Sequence, residues 1–471
     1  MTSAGPQTAF RVADVLRGRL EAPWEVYGEH LRRFEIHLSG DRIEMIRGPL
    51  EMEGYGLRLL RRKEGTLGIG FSATSELSTP GIARTVEVAE ATASHARFPA
   101  PKAELPSSDA ATTGDIETVD ARLWNEPFET LESYAHQLLS QFDGRGTVVP
   151  SFGSIKATLS QSTISNSQGL ERGLDRTTVE FEFAVKASGG PEGAPPGEYW
   201  VVRRQGSLPT DGIASEVDHW CRQAEAIRRA GTPASGPQKV IFPPHVLADV
   251  LPAILGFRLS GAARLRKLMP EPGAEIGSEK VTIWDDPTLP FGIGSGAFDD
   301  EGSPHSRRAI LERGRVVSGL YDALHGAAFD LPSTGNASRE GTFTSESIRF
   351  AHSPQPGTSN LSWEPGDGGT DEELIEAVGE GIWLEQLGYA FPDAFSGAFG
   401  GEIRVGYRIE HGKLGEPIRG GIIGGLLFGG PGEPSLLRSV TSTGSRPRTE
   451  GSLRAPSVVV DPMAVAGGTG T

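Results

Sequence analysis

The chain has 471 residues, a formal net charge of −16, 63 glycines, 34 prolines, 10 histidines and a single cysteine. That length leaves room for roughly two or three domains, each with its own core, and the turn-rich composition favours a β-rich or α+β protein over a helical bundle. The acidic balance argues against non-specific nucleic-acid binding, which needs basic patches, and one cysteine excludes both an internal disulfide framework and a cysteine metal cluster.

Met1 to Phe10 has neither a basic start nor an apolar run, so no signal peptide is expected. Ile422 to Phe428 is too short and too glycine-rich to span a bilayer. The cytoplasm is the expected location. A short helix is expected over 10–20. From His30 to Thr74 alternation predicts strands, with turns at Ser39-Gly40-Asp41 and Glu53-Gly54. Residues 82–97 read as a helix, and 98–118, rich in Pro, Ala, Ser and Thr, as a linker.

Leu131, Tyr134, Leu138 and Leu139 form the apolar stripe of a helix over 128–142. Two alternating runs over 152–187, joined through Asn166-Ser167-Gln168-Gly169, predict a hairpin. A surface loop is expected at 188–197. Ser215-Glu-Val-Asp218 is expected to cap a helix reaching Arg229. Prolines and glycines over 231–237 mark a second boundary. Beyond it come short strands, a helix opened by the capping box Thr370-Asp-Glu-Glu373, and a last strand containing Val458-Val459-Val460. The expected fold class is α+β. It comprises an N-terminal α+β unit at 1–117 and a middle unit with the hairpin at 118–235, both with mixed or antiparallel sheet, then a β-rich domain at 236–471.

A catalytic zinc needs two or three His, Cys or carboxylate ligands on one face. The histidines are scattered, none three or four residues from another, and no H-E-x-x-H occurs. No G-x-S-x-G elbow occurs either, and Cys221, on an amphipathic helix, reads as a small buried hydrophobe. Gly292-Ile-Gly294-Ser-Gly296 matches no nucleotide fingerprint and reads as a turn. Asp299, Asp300 and Glu301 repel one another unless they face water, a cation or backbone donors; the plain expectation is a solvated turn ending in Gly302. The glycines over 420–430 point to close approach by a neighbouring strand.

Taken in order, a set of segments resembles the core of the TldD/TldE (PmbA) peptidase family. They are Asp285-Asp286-Pro287-Thr288-Leu289, Phe298-Asp-Asp-Glu-Gly302, Leu311-Glu-Arg-Gly314, Gly319-Leu-Tyr-Asp322, Ser333-Thr-Gly-Asn336, Gly357-Thr-Ser-Asn360, the run from Pro365 to Ile375, Gly381-Ile-Trp383 and Pro456-Ser-Val-Val. Gly54-Tyr-Gly-Leu-Arg58 and the run from Gly68 to Ser75 are similar to that family's first domain.

In that family the TldD-type subunit carries zinc on a helix with an H-E-x-x-x-H motif and a cysteine near the C-terminus. The TldE-type subunit lacks the motif, and the pair encloses a chamber that cuts unstructured peptides. The flanking pattern places this helix at Val250 to Phe257. Pro252 and Phe257 then stand where the histidines would be, Ala253 where the glutamate base would be, and Arg454 near the cysteine position.

The resemblance therefore implies a metal-free, TldE-like subunit with no cofactor or catalytic residue of its own. It implies zinc in a TldD-like partner and an extended peptide substrate, without nucleic acid or membrane. Asp299, Asp300, Glu301, Asn336 and Arg339 are candidates for lining or shaping the chamber. A specialised amide-hydrolase complex acting on a small peptide-like metabolite, and a partnerless binding or scaffold protein, are the alternatives.

Overall fold

The computed structural model describes residues 7–108, 114–189, 196–339, 348–430 and 433–468. The first half of the chain runs α1 (Thr8–Leu16), β1 (Trp24–Ser39), β2 (Arg42–Lys63), β3 (Thr66–Thr74) and α2 (Thr79–His95). It continues with α3 (Pro127–Ser140), β4 (Val148–Asn166), β5 (Glu171–Ala187), β6 (Gly197–Gln205) and α4 (Ile213–Arg229). All six strands form one antiparallel sheet in the order β3-β2-β1-β4-β5-β6. β1 and β4 pair from Glu25↔Asn166 to Ser39↔Phe152. The units expected at 1–117 and 118–235 thus share a single hydrogen-bonded sheet. Local patterning marks strands, but it does not say which strands meet across a long connection.

The β4–β5 turn falls where expected. Asn166 Oδ1 accepts from the backbone N–H of Gln168 at 2.9 Å and of Leu170 at 3.2 Å, the local bonding that suits Asn to turns. The turn expected at Glu53-Gly54 is absent, because β2 runs straight through it. Gly54 instead makes room for Phe350: an added Cβ would lie 2.3 Å from that ring. α4 begins at Ile213, and Ser215 donates to the Gly212 carbonyl at 2.8 Å instead of capping. Cys221 is buried on α4 within the core. Most of the loop expected at 188–197 lies outside the described residues.

The second half builds a small closed sheet. Its elements are β7 (Gly236–Phe242), α5 (Leu251–Arg258), α6 (Asp371–Val378), β8 (Gly381–Gly388), β9 (Ala398–Glu410), β10 (Ile422–Leu426) and β11 (Val458–Ala466). The strands run β8-β7-β11-β10-β9, and β9 pairs back onto β8, with Lys413–Ile418 added to β9 as an edge strand. Val240, Ile382, Leu384, Ile403, Ile423 and Val460 belong to one core. The capping box at Thr370 and Glu373 is formed reciprocally. Gly424 lies opposite Gly400 of β9, and a Cβ there would meet the Phe399 carbonyl oxygen at 2.6 Å. The neighbouring strand is the reason for these glycines. Among the described residues no helix is long and apolar enough to cross a membrane.

A buried charge network joins the halves. Arg58 Nη2 donates to Glu25 Oε2 at 2.7 Å and Nη1 to Glu301 Oε1 at 2.6 Å, while Arg339 Nη2 pairs with Glu25 Oε1; all four side chains are 0% exposed. The acidic stretch is therefore not a solvated turn. Asp299 accepts the backbone N–H groups of Glu301, Ser303 and Ala337 at 2.9, 2.8 and 2.9 Å. Burial, then the Glu301 charge, push the Asp299 carboxyl well above the usual carboxylate range, and those three donors pull the other way.

Arg58→Ala leaves Glu301 buried without its counter-charge and Glu25 with Arg339 alone, and breaking a buried pair costs about 3–5 kcal/mol. A large fall in the urea-unfolding midpoint is expected. The control is Arg62→Ala, whose exposed partner Glu104 lies 3.6 Å away and contributes about 1 kcal/mol at most. Equal effects of the two substitutions would show that the buried network adds nothing.

Candidate functional site

The segment implied to hold metal in relatives is α5. It buries Leu251, Ile254 and Leu255, exposes Ala253, and leaves Pro252 and Phe257 half-buried. Pro252 sits in the first turn, where its missing N–H breaks no helical bond. The Phe257 ring meets Phe395 with centroids 4.7 Å apart. Arg454 lies on the short strand Leu453–Ala455, paired with Leu361–Trp363 and Arg448–Glu450. A pyrrolidine, a methyl group, a benzene ring and a guanidinium supply no zinc donor. The residues present do not fit the metal. Among the described residues no group of three His, Cys, Asp or Glu side chains is placed to hold a metal ion.

Asp299, Asp300, Glu301, Asn336 and Arg339 do come together, but their polar atoms are engaged within the chain. Asn336 Nδ2 donates to Asp285 Oδ2 at 2.7 Å. Asp300 accepts from Arg349 Nη1 at 2.9 Å and from the Arg339 backbone N–H at 2.7 Å. Glu301 Oε2 accepts the Ala323 N–H at 2.8 Å. These residues shape the surrounding loops.

A cleft of about 350 Å³ opens between β6 and α4 of the large sheet and β8 of the closed one, next to the chain entering α5 at Asp249. Its fixed point is Glu385, only 3% exposed. Glu385 falls where the β8–β9 register slips, and such a bulge re-aims a side chain. Its Oε1 lies 2.8 Å from His219 Nε2 and 3.1 Å from the Tyr199 hydroxyl, and its Oε2 accepts Trp383 Nε1 at 3.0 Å. The Glu385 backbone carbonyl is 2.6 Å from His245 Nε2.

Burial opposes the charge on Glu385. The His219 hydrogen bond, the His245 and His219 charges and the Trp383 indole outweigh it and bring the carboxyl down to about 2 from 4.5. A carboxylate and a carbonyl only accept. Both imidazoles therefore carry a proton on Nε2. Among the described lining residues there is no Ser, Thr, Cys or Lys.

No sequence motif singles out His219, His245 or Glu385. The available signal was a carboxylate inside the apolar run Ile382-Trp-Leu-Glu-Gln-Leu387, since a charge there needs buried partners.

Because its folded pKa is depressed, Glu385 contributes stability above its ordinary value of 4.5 that is lost as pH falls through about 2. Glu385→Gln is expected to be less stable than the parent at neutral pH and to lose less stability over that acid range. Urea midpoints measured across pH test this, and parallel curves for the two proteins would refute it.

Two family models match the chain. One, described as the PmbA/TldA metallopeptidase C-terminal domain, covers residues 235–467, and the other, described as PmbA/TldA metallopeptidase domain 1, covers residues 24–93. A metalloprotease TldD homolog of Buchnera aphidicola is 27% identical over 214 residues, which take in 43% of this chain and only 42% of that relative's length. Metalloprotease PmbA of Escherichia coli O157:H7 is 24% identical over 423 residues, 86% of each chain. The crystal structure of TldE from Thermococcus kodakarensis superposes with a TM-score of 0.76 at 18% identity, over 94% of this chain and 96% of that one; at such identity the likeness speaks for the α+β fold alone. With both family models lying in order along the sheet and the closed barrel described above, the chain belongs to the PmbA/TldD metallopeptidase family.

Proposed function

We propose that this chain is the metal-free, non-catalytic subunit of a TldD/TldE-type heterodimeric zinc peptidase. In this reading it closes the chamber of a zinc-bearing, TldD-like partner in the cytoplasm and helps hold unstructured peptides. The observation that carries the reading is α5. On a family scaffold, the positions implied for two histidines and a glutamate hold Pro252, Phe257 and Ala253, and Arg454 stands near the implied cysteine. Metal-assisted hydrolysis needs both ligands and a base, and these side chains offer neither.

Peptide holding is supported by β6. It ends its sheet, and among the described residues no strand pairs with its outer side. The Trp200 carbonyl points away from β5, accepting Gln386 Nε2 at 2.5 Å, and Val202, two residues on, is 67% exposed. With a period of two, Val202 turns its backbone the same way. An extended peptide adds to such an edge through main-chain hydrogen bonds, with little demand on its side chains.

The test is zinc content and peptidase activity of the chain alone and co-expressed with an H-E-x-x-x-H subunit from the same genome. Alone, the chain is expected to hold far less than stoichiometric zinc and to leave casein uncut. The co-purified pair is expected to hold stoichiometric zinc and to cut it. Stoichiometric zinc or activity in the chain alone would overturn the metal-free assignment, and failure of the pair to form would overturn the heterodimer.

A further inference from the structure

We infer that the cavity at the C-terminal end of α5 is a carboxylate-binding site, in which Arg258 and Arg438 hold the carboxylate of a ligand with an apolar body. The inference is independent of the peptidase reading and of the cleft at Glu385, since none of the residues it uses lines that cleft.

The cavity measures about 680 Å³ and lies between Arg258, the chain around Met269 and Ile276, and the segment that leaves β10 at Leu426. Each acidic or hydroxyl side chain in its wall has a partner. Glu275 Oε2 accepts from Arg315 Nη2 at 2.8 Å, and Glu433 Oε2 accepts the Gly430 N–H at 2.8 Å. Ser396 Oγ donates to Asp393 Oδ2 at 2.6 Å and accepts the Ala398 N–H at 3.2 Å. The two arginines are matched incompletely. Arg258 forms no ion pair with a described carboxylate: its Nη1 donates to the Phe395 carbonyl at 2.8 Å, and its guanidinium lies over the Phe428 ring, 5.0 Å from the centroid. Burial lowers its pKa from the ordinary value, against the pull of the Asp393 charge. Arg438 donates from Nη2 to the Glu275 carbonyl, and its Nη1 stands 3.9 Å from Glu275 Oε1, too far for a hydrogen bond. The Nε of each arginine is sealed from solvent, whereas Arg258 Nη2 and Arg438 Nη1 keep open surface and have no hydrogen-bond partner.

Two guanidiniums with free N–H groups on one cavity suit an anion, and the planar fork of arginine matches the two oxygens of a carboxylate. Arg258 is held by a carbonyl and a ring, and neither neutralises it, so the ligand supplies the missing negative charge. The rest of the wall selects the body. Leu268, Pro270, Ala274 and Leu426 are half-buried and still offer apolar surface, the arrangement of a pocket in which a few polar groups orient a ligand against an apolar lining. Inorganic phosphate gains nothing from that surface. The chain carries a net charge of −16, so its long-range field repels anions, and affinity has to come from contacts inside the cavity.

The test is calorimetric titration of the full chain with octanoate, its neutral analogue octanamide, an N-acetyl tripeptide of leucine and alanine with a free C-terminus, the C-terminal amide of that peptide, and inorganic phosphate. Octanoate is expected to bind about tenfold or more tighter than octanamide, the scale of a lost charge-assisted hydrogen bond. Arg258→Gln and Arg438→Gln are each expected to erase that preference with an unchanged circular dichroism spectrum, and Arg438→Gln decides the matter if Arg258→Gln does not fold. Arg313→Gln, at an exposed arginine paired with Glu279, is expected to leave the preference intact. The same preference for the free-acid peptide over its amide would give a peptide C-terminus as the source of the carboxylate; a preference confined to octanoate would give a free acid, and either supports the site. Equal affinity for acid and amide in both pairs, a preference that survives both cavity substitutions, its equal loss in Arg313→Gln, binding of phosphate alone, or no binding of any probe would overturn the inference.

Discussion

Two arginines and two glutamates, all shut off from water, fasten the two halves of this protein together. Glu25 and Arg58 come from adjacent strands of the large sheet, and Glu301 and Arg339 from loops of the other half. Each buried ion carries a desolvation penalty of several kcal/mol that only close, well-formed pairing offsets. The geometry around the network is correspondingly tight. Gly54 and Gly56 let Phe350 close onto β2, where added Cβ atoms would lie 2.3 Å from its ring and 2.4 Å from its carbonyl oxygen. Gly302, at φ +84°, turns the acidic loop against Leu170, a conformation that glycine adopts without strain.

The opposite end of the sheet is held differently. Tyr199 and His219 meet Glu385, Gln386 meets the Trp200 carbonyl, and Tyr407 donates to Gln223 at 2.7 Å. Only one carboxylate takes part, its burial offset by His219, His245 and Trp383, and the walls leave space between them. That space is the cleft. One end of the sheet thus sets the register of the two halves, and the other end frames a cleft next to α5.

Much of the local structure was legible in the sequence. The Asn166 turn, the capping box at Thr370, the stripe through Leu131 and Leu138 and the strand at Val458 are each set by contacts within a few residues. The fate of Gly54 was not legible. A glycine in an alternating run signals a turn as readily as a close approach, and the approaching Phe350 lies almost three hundred residues away. The acidic stretch was misread for the same reason: its counter-charge, Arg58, is 243 residues distant. Of the candidate site, Pro252, Ala253, Phe257 and Arg454 could be marked only through family resemblance, since nothing in a proline or an alanine announces a missing ligand. His219, His245 and Glu385 went unmarked because no two of them are near in sequence.

The sequence by itself determined the α+β class, most helices and turns, and the family, because each of these is written in short-range spacing or in ordered motifs. Only the tertiary structure decided that six strands form one sheet, that Asp299 and Glu301 are buried instead of solvated, and that two histidines meet one glutamate at a cleft, His219 at its carboxylate and His245 at its backbone carbonyl. Those outcomes depend on which distant surfaces meet. Strand pairing and charge burial are settled by the free energy of the whole packed chain, and no local window of residues contains it.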